Sequence, residues 1–274
     1  METPAPKSLM SNNAVLLRAD VDGRECVVDI GLATRAVQGS LNEDFCGVAL
    51  PPDDDSVDMG MMIAIADGVS AGGAGRLAAE TVAQCLLTDY YAAARGKPTA
   101  LVLEQLLRAT NSWLFGQNRP GKHDQVMLST VSALLLRGRR YQIAHVGDTR
   151  IYRARGRGAH DVGMHAGTFE RLTADHTWPG RSMHRTLKRA IGLDIHLVVD
   201  FIDGECGPGD VFLLVSDGVW DTLGEERMEL LFEAAADPQS AADALVNAAC
   251  ALQANYLGRN DASAIVASVL APPG

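Results

Sequence analysis

The sequence predicts an α+β fold in which helices lie outside mixed sheets. Three observations carry this. Apolar runs at 59–66 and 211–216 read as buried strands, and each leads into an Asp-Gly pair. Segments at 76–94 and 100–115 repeat their apolar residues at helical spacing. The order is strands, paired helices, strands, paired helices, strand, whereas a parallel doubly wound fold would alternate βαβαβ.

Taken in order, residues 1–13 read as a flexible polar lead, 14–270 as a single domain and 271–274 as a tail or linker stub. Residues 14–30 read as short strands turning at the DVDG stretch. The acidic run at 51–58 is a solvated loop. The strand 59–66 and a glycine-rich turn lead to a helix carrying Leu77, Val82, Leu86 and Tyr90 on one face. The next helix carries Leu103, Leu106, Leu107, Thr110 and Leu114. A strand meander follows through 130–138, 139–148 and 149–156. Residues 156–170 read as a mobile loop, and 196–202 and 211–216 as strands. Two helices, 225–235 and 240–256, precede a last strand at Ala262–Leu270. Trp113 and Trp220 read as core residues, each with a polar edge.

Composition removes several function classes. The chain has 274 residues, 47% of them hydrophobic, so it can bury a large core. A net charge of -10 argues against a nucleic-acid partner, which needs a basic face. No run of about 18 apolar residues suggests a membrane span. The cysteines are Cys26, Cys46, Cys85, Cys206 and Cys250, an odd count without a C-x-x-C pair, which reads as reduced thiols in a cytoplasmic chain.

The chemistry lies in the acids. A carboxylate at the mouth of an apolar strand is poorly hydrated and needs a counter-charge to stay ionised. Asp67-Gly68 and Asp217-Gly218 follow two such strands, and Asp148 sits where two more join. Asp261 opens the last strand, and Glu43-Asp44 precedes an apolar pair. An oxygen-only donor set of this kind selects Mg²⁺ or Mn²⁺ over zinc. In each pair the glycine is expected to let the chain turn so that its own carbonyl can face the ion.

Eight stretches in order, NEDF, IAIADGVSAGGAG, LSTVSALLL, HVGDTRIYR, LTADH, TLKRAIG, GDVFLLVSDGVWD and NDASAIVASV, resemble the metal-dependent protein serine/threonine phosphatases of the PPM or type 2C family, bacterial branch. The resemblance spans about residues 14–270, and ATNSWLFGQNR is similar to the phosphatase half of kinase–phosphatase fusion proteins. It implies a four-layer α-β-β-α sandwich, two antiparallel sheets flanked by helix pairs. It implies hydrolysis of phosphoserine or phosphothreonine by a water bridging two Mn²⁺ or Mg²⁺ ions. On this resemblance Asp67 bridges both ions, Gly68 offers its carbonyl, and Asp217 and Asp261 complete one ion. Glu43 serves the other, directly or through water, and Asp44 holds metal-bound waters. Asp148 with Asp217 matches a third, weaker ion. The implied partners are phosphoproteins, a serine/threonine kinase or its substrates, and the chain is expected to be a monomer.

Two departures stand out. Many family members carry a phosphate-clamping arginine five residues before the Asp44 position, where this chain has Gly39. Arg35 is the nearby candidate to replace it. Some members place a histidine directly after the first Asp-Gly, and Val69 stands there, which leaves His145 as a possible proton donor against its reading as a packed strand residue. Trp178, beside Pro179-Gly180, reads equally as part of a substrate flap or as an ordinary loop residue. Two rival functions follow: a pseudophosphatase scaffold of the same fold, and a dinucleotide-dependent oxidoreductase suggested by the GGAGRLA turn. The second fails on Asp67, which would repel pyrophosphate unless a metal intervened.

Overall fold

The computed structural model describes residues 7–9, 15–21, 24–37, 40–52, 59–69, 74–118, 126–155, 167–178, 186–254 and 260–270, with side chains from Val27 onward. Two antiparallel sheets face each other. The first has the strand order β1 (Lys7–Leu9), β4 (Asp44–Leu50), β5 (Met61–Val69), β7 (Val131–Arg137), β8 (Arg140–Val146) and β11 (Asp200–Glu205), with short β6 (Leu128–Ser129) paired to the end of β5. The second has the order β10 (Thr168–Arg171), β9 (Arg150–Arg155), β12 (Asp210–Val215), β13 (Ala262–Leu270), β3 (Arg24–Arg35) and β2 (Val15–Val21). Helices α1 (Gly75–Gln84), α2 (Tyr90–Ala93) and α3 (Thr99–Gln117) cover the first sheet. Helices α4 (Asp217–Leu223), α5 (Glu225–Glu233) and α6 (Pro238–Gln253) cover the second. The expected α-β-β-α sandwich is therefore present.

Strand periodicity explains the layers. Successive side chains on a strand point to opposite faces. On β5, Met61, Ile63 and Ile65 enter the seam between the sheets, while Met62, Ala64 and Ala66 meet the helices. On β13, Ile265, Ala267 and Val269 enter the seam, while Ala264 and Val266 meet α5 and α6. Continuing each alternation carries Asp67 and Asp261 into the seam at the same end. Asp44 follows from Cys46 and Val48 on β4 in the same way.

Helix α6 is firmly started. Asp237 caps it by accepting the Ser240 N–H at 2.8 Å, Ser240 returns the bond, and Pro238 fills the first turn. It packs so close to β3 that a side chain at Gly31 would overlap the Pro238 carbonyl. Among the described residues, the β2 pairing in that direction ends at Val15 with Ile30. The Gln239 amide binds the edge of β3 two residues on, accepting from the Leu32 N–H at 3.1 Å and donating to its carbonyl at 3.0 Å.

The structure corrects several local readings. Lys7–Leu9, expected in a loose lead, forms an edge strand on Leu50–Val48. The strand through Asp67 does not end before it but continues to Val69. Asp217-Gly218 starts a helix, α4, that the sequence reading missed. Leu77 is exposed, whereas Val82, Leu86 and Tyr90 are buried as expected, together with Ala78, Ala79 and Ala83. The helix from Gly75 loosens into a π-helical turn at Cys85–Asp89. Residues 130–156 are no single meander, because β9 crosses to the other sheet after Gly147 and Asp148. The end of the stretch read as loop, 168–170, belongs to strand β10, Thr168–Arg171. The strand expected at 196–202 begins only at Asp200, and just before that stretch Asn111 of α3 binds the carbonyls of Asp194 and Ile195. Trp113 is 47% exposed, whereas Trp220 is buried as expected. The loops at 53–58, 71–73, 156–166, 179–185 and the tail 271–274 lie outside the described residues.

Candidate functional site

The seam turns polar at one end, where β4 starts, β5 nears its end, β12 ends and β13 starts. Asp44 and Asp67 are direct cross-strand partners. Ser216, the last residue before α4, donates its hydroxyl to Asp44 Oδ2 at 2.8 Å and accepts the Ser263 N–H at 3.0 Å. One serine thus joins the acids of one sheet to the start of β13 in the other. Asp261 accepts two main-chain amides, Val37 N–H at 2.7 Å and Glu43 N–H at 2.6 Å. Asn260 donates its side-chain amide to Asp217 Oδ2 at 2.9 Å.

Asp67 is held by its backbone. Its N–H donates to Thr130 Oγ1 at 3.1 Å, and its carbonyl accepts the Thr130 N–H at 2.8 Å. Asp148 sits at the corner where the chain changes sheets, and Trp220 Nε1–H donates to its carbonyl at 2.9 Å. The Arg150 guanidinium lies 3.4 Å from the Trp220 ring centre and forks onto Asp175 at 2.9 and 2.7 Å.

The glycines admit backbone, not turns. Neither Gly68 nor Gly218 has a positive φ. A side chain at Gly68 would strike the Gly75 carbonyl and come 2.7 Å from the Glu43 carbonyl oxygen. One at Gly75 would come 3.0 Å from the Glu43 carboxyl carbon, so α1 begins against Glu43. A helix N-terminus favours a carboxylate there. One at Gly218 would overlap the Asp261 carbonyl.

Electrostatics show what the acids lack. Burial, then the charges of Asp217, Asp44 and Asp148, holds the Asp67 carboxyl well above the usual range. Burial likewise raises Asp44, with Asp217 and Asp261 adding to the rise against the Ser263 and Ser216 hydrogen bonds. Asp217 is raised by burial although Asp67 donates a hydrogen bond to it. Asp148 is pushed up to about 7 by burial, then by Asp217 and Asp175. The strongest influences on Asp44, Asp67 and Asp217 include no basic side chain. Among the described residues, no three His, Cys, Asp or Glu groups are already set around one point. Among these acids, Asp67 and Asp217 are hydrogen-bonded to each other. Oxygen donors lacking a cationic neighbour fit hard divalent ions, which would let them ionise together.

Of the sequence-derived site residues, Glu43, Asp44, Asp67, Gly68, Asp148, Asp217 and Asp261 all come to this end of the seam. Arg35 does not face it. Following Ala33 in the alternation, it lies exposed on the helix side of β3, where its charge acts on Cys250 of α6. Gly39 lies outside the described residues. His145 is a packed strand histidine. Its Nε2–H donates to the Ala174 carbonyl at 3.0 Å, Ser132 hydroxyl meets Nδ1 at 2.9 Å, and burial lowers its pKa to about 4. Sequence reasoning missed Thr130, Ser216, Asn260 and Gln253 as supports. Two of them stand directly before a site aspartate, and Thr130 lies within the LSTVSALLL stretch.

Two antiparallel sheets between helical layers, with carboxylates gathered at one end of the seam, define an α-β-β-α sandwich with an acidic cluster at that end. Residues 33–254 match the family described as Protein phosphatase 2C, and the chain belongs to that family. The serine/threonine protein phosphatase PstP of Mycobacterium tuberculosis is 27% identical over 194 residues, covering 66% of this chain and 36% of that protein. This chain thus spans about a third of that relative's length. The catalytic domain of PstP in complex with two manganese ions superposes with a TM-score of 0.68 at 23% identity, covering 89% of this chain and 99% of that one. PppA, described as a key regulatory component of T6SS in Pseudomonas aeruginosa, gives 0.68 at 20% identity over 93% of this chain and 100% of that one. At these identities the superpositions speak to fold alone.

Proposed function

We propose that the chain is a metal-dependent protein serine/threonine phosphatase. The observation that carries this reading is the set Asp44, Asp67, Asp148 and Asp217, the first and third buried, the other two partly buried, and all held above the usual carboxylate range. A buried acid cluster of this kind costs stability unless cations neutralise it. Mn²⁺ or Mg²⁺ is the counter-charge proposed, as two ions with a third, weaker one. When bound, such ions supply positive charge to the phosphoryl oxygens and an activated water for attack on phosphorus.

The chain's own residues hold this arrangement. Asp67 and the Gly68 carbonyl approach from the first sheet, Asp217 and Asp261 from the second. Glu43 stands at the start of α1, Asp44 is fixed by Ser216, and Asp148 is placed beside Asp217. His145 does not serve as proton donor in this reading, since both ring nitrogens are engaged and the ring stays neutral above about pH 4. The substrates proposed are phosphoserine and phosphothreonine proteins, a serine/threonine kinase or its targets. The odd cysteine count without a C-x-x-C pair is the basis for proposing reduced thiols and a cytoplasmic location. Among the described residues no helix is long and apolar enough to cross a membrane.

Turnover of p-nitrophenyl phosphate and of a phosphothreonine peptide tests the proposal. Activity should require Mn²⁺, vanish in EDTA and fall at least about a hundredfold in Asp217→Asn. Turnover that survives both treatments would overturn the mechanism. A chain that binds Mn²⁺ yet turns over neither substrate is a scaffold instead, and Arg35 pointing away from the pocket is the observation on that side.

A further inference from the structure

We infer that Gln253, the last residue of α6, is a positioning residue that fixes the separation between Asp217 and Asp261. This rests on the reading of the acidic pocket as a divalent-cation site. Gln253 is only 7% exposed. Its amide is fully engaged. Oε1 accepts the Asn260 N–H at 2.7 Å. Nε2 donates to the Gly218 carbonyl at 2.8 Å and to Thr222 Oγ1 at 3.0 Å. The two main-chain partners fix which end of the amide is oxygen and which is nitrogen.

These bonds close a ring. Asn260 donates its own side-chain amide to Asp217 Oδ2, so Gln253, Asn260, Asp217 and Gly218 are joined end to end. Asp261 follows Asn260 directly, and its carbonyl presses on Gly218 where no side chain would fit. The two carboxylates belong to segments that are remote in sequence, the start of α4 and the start of β13. Gln253 ties the two segments together, while the Val37 and Glu43 amides hold the Asp261 carboxylate itself. A long polar side chain buried at a helix end is costly unless every polar atom is satisfied. Here each bond falls on a segment that carries a site acid or, through Thr222, on the same short helix α4. Glutamine offers an acceptor for Asn260 and a donor for Gly218 together, with no proton to lose.

Such a support acts on cation affinity more than on folding. The test is titration of Mn²⁺ into the chelator-stripped full chain by calorimetry, with melting in EDTA recorded beside it. Gln253→Met keeps the volume and removes both bonds. In its ionised form Gln253→Glu keeps the acceptor and loses the donor. Thr222→Val removes only the peripheral bond. The expected result is an Mn²⁺ dissociation constant raised about tenfold in Gln253→Met and in Gln253→Glu and unchanged in Thr222→Val. Should Gln253→Met fail to fold, Gln253→Glu decides by the same comparison. Affinities within about twofold of the parent overturn the inference, as does a lowered EDTA melt with affinity intact, which marks a purely structural residue. A Thr222→Val chain weakened equally would also overturn it. A parent chain that takes up no Mn²⁺ would bring down the cation reading along with it.

Discussion

At Asp67-Gly68 the chain stays extended, and at Asp217-Gly218 it coils. Strand β5 runs on past the first pair to Val69, pairing with Leu128 and Ser129. The second pair opens α4, behind Ser216. Both glycines nevertheless answer the same need, since each leaves space for the backbone of another acidic segment. The support differs. Asp67 is bound through its main chain to Thr130, and Gly68 N–H donates to the Glu43 carbonyl at 3.1 Å. Asp217 and Gly218 depend on side chains, Asn260 and Gln253. The sheet half of the pocket is a ladder with fixed spacing. The helix half is assembled from single side chains, each replaceable.

The largest effect should come from filling the two glycines. Gly68→Ala and Gly218→Ala each force a methyl group onto fixed backbone, and each should cost about 3 kcal/mol in urea denaturation. Equal losses would support the shared role. If Gly68→Ala were tolerated, the close approach of α1 and Glu43 would not be a constraint, and the likeness of the two pairs would break.

Protonation gives the next effect. Asp148 has its pKa near 7 in the fold against 3.8 as an unperturbed carboxyl, so between those values the folded state holds a proton that the unfolded state has released. Stability therefore falls as pH rises through that window. His145, lowered to about 4 by burial, works the other way, losing stability as pH drops below its ordinary 6.5. Asp148→Asn separates the two. In EDTA the parent should lose at least about 4 °C of melting temperature between pH 4.5 and pH 7 relative to that variant. Mn²⁺ should abolish the difference. A pH profile identical in both chains would mean that Asp148 titrates normally and that Asp217 does not press on it.

Much of the site was legible because acids at strand mouths are unusual and period-two patterning fixes their direction. Asp67 follows Ile63 and Ile65 into the seam, and Asp261 leads Ile265 there. The same alternation, applied past Ala33, already directs Arg35 toward α6. The backbone beyond the acids was not legible. Asp-Gly is compatible with a turn, a strand or a helix start, and the choice is made by tertiary contact: Ser129 pairs with Gly68, while Ser216 and Gln253 hold α4. Gln253 could not be singled out, because its partners lie at Gly218, Thr222 and Asn260 and nothing local marks a glutamine at a helix end as buried. The crossing at Asp148 was hidden for a similar reason. A tight corner between sheets and a hairpin within one sheet both favour glycine.

The smallest effect tests the halves directly. Ser216→Ala removes the hydroxyl that Asp44 accepts from and leaves the buried Ser263 N–H without that acceptor. Thr130→Val removes the hydroxyl acceptor of the Asp67 N–H. Each should cost about 1 kcal/mol in EDTA, the usual net value of one buried hydrogen bond. Their effects on titration should differ. The Ser216 bond favours ionised Asp44, so its loss should move the Asp44 carboxyl still further up, read by carbonyl carbon chemical shift against pH. Thr130 binds the backbone of Asp67 and not its carboxyl, so that variant should leave the Asp67 titration in place. A shift of Asp67 in Thr130→Val as large as that of Asp44 in Ser216→Ala would show that the ladder is no stiffer than the side-chain half, and the contrast between them would have to be given up.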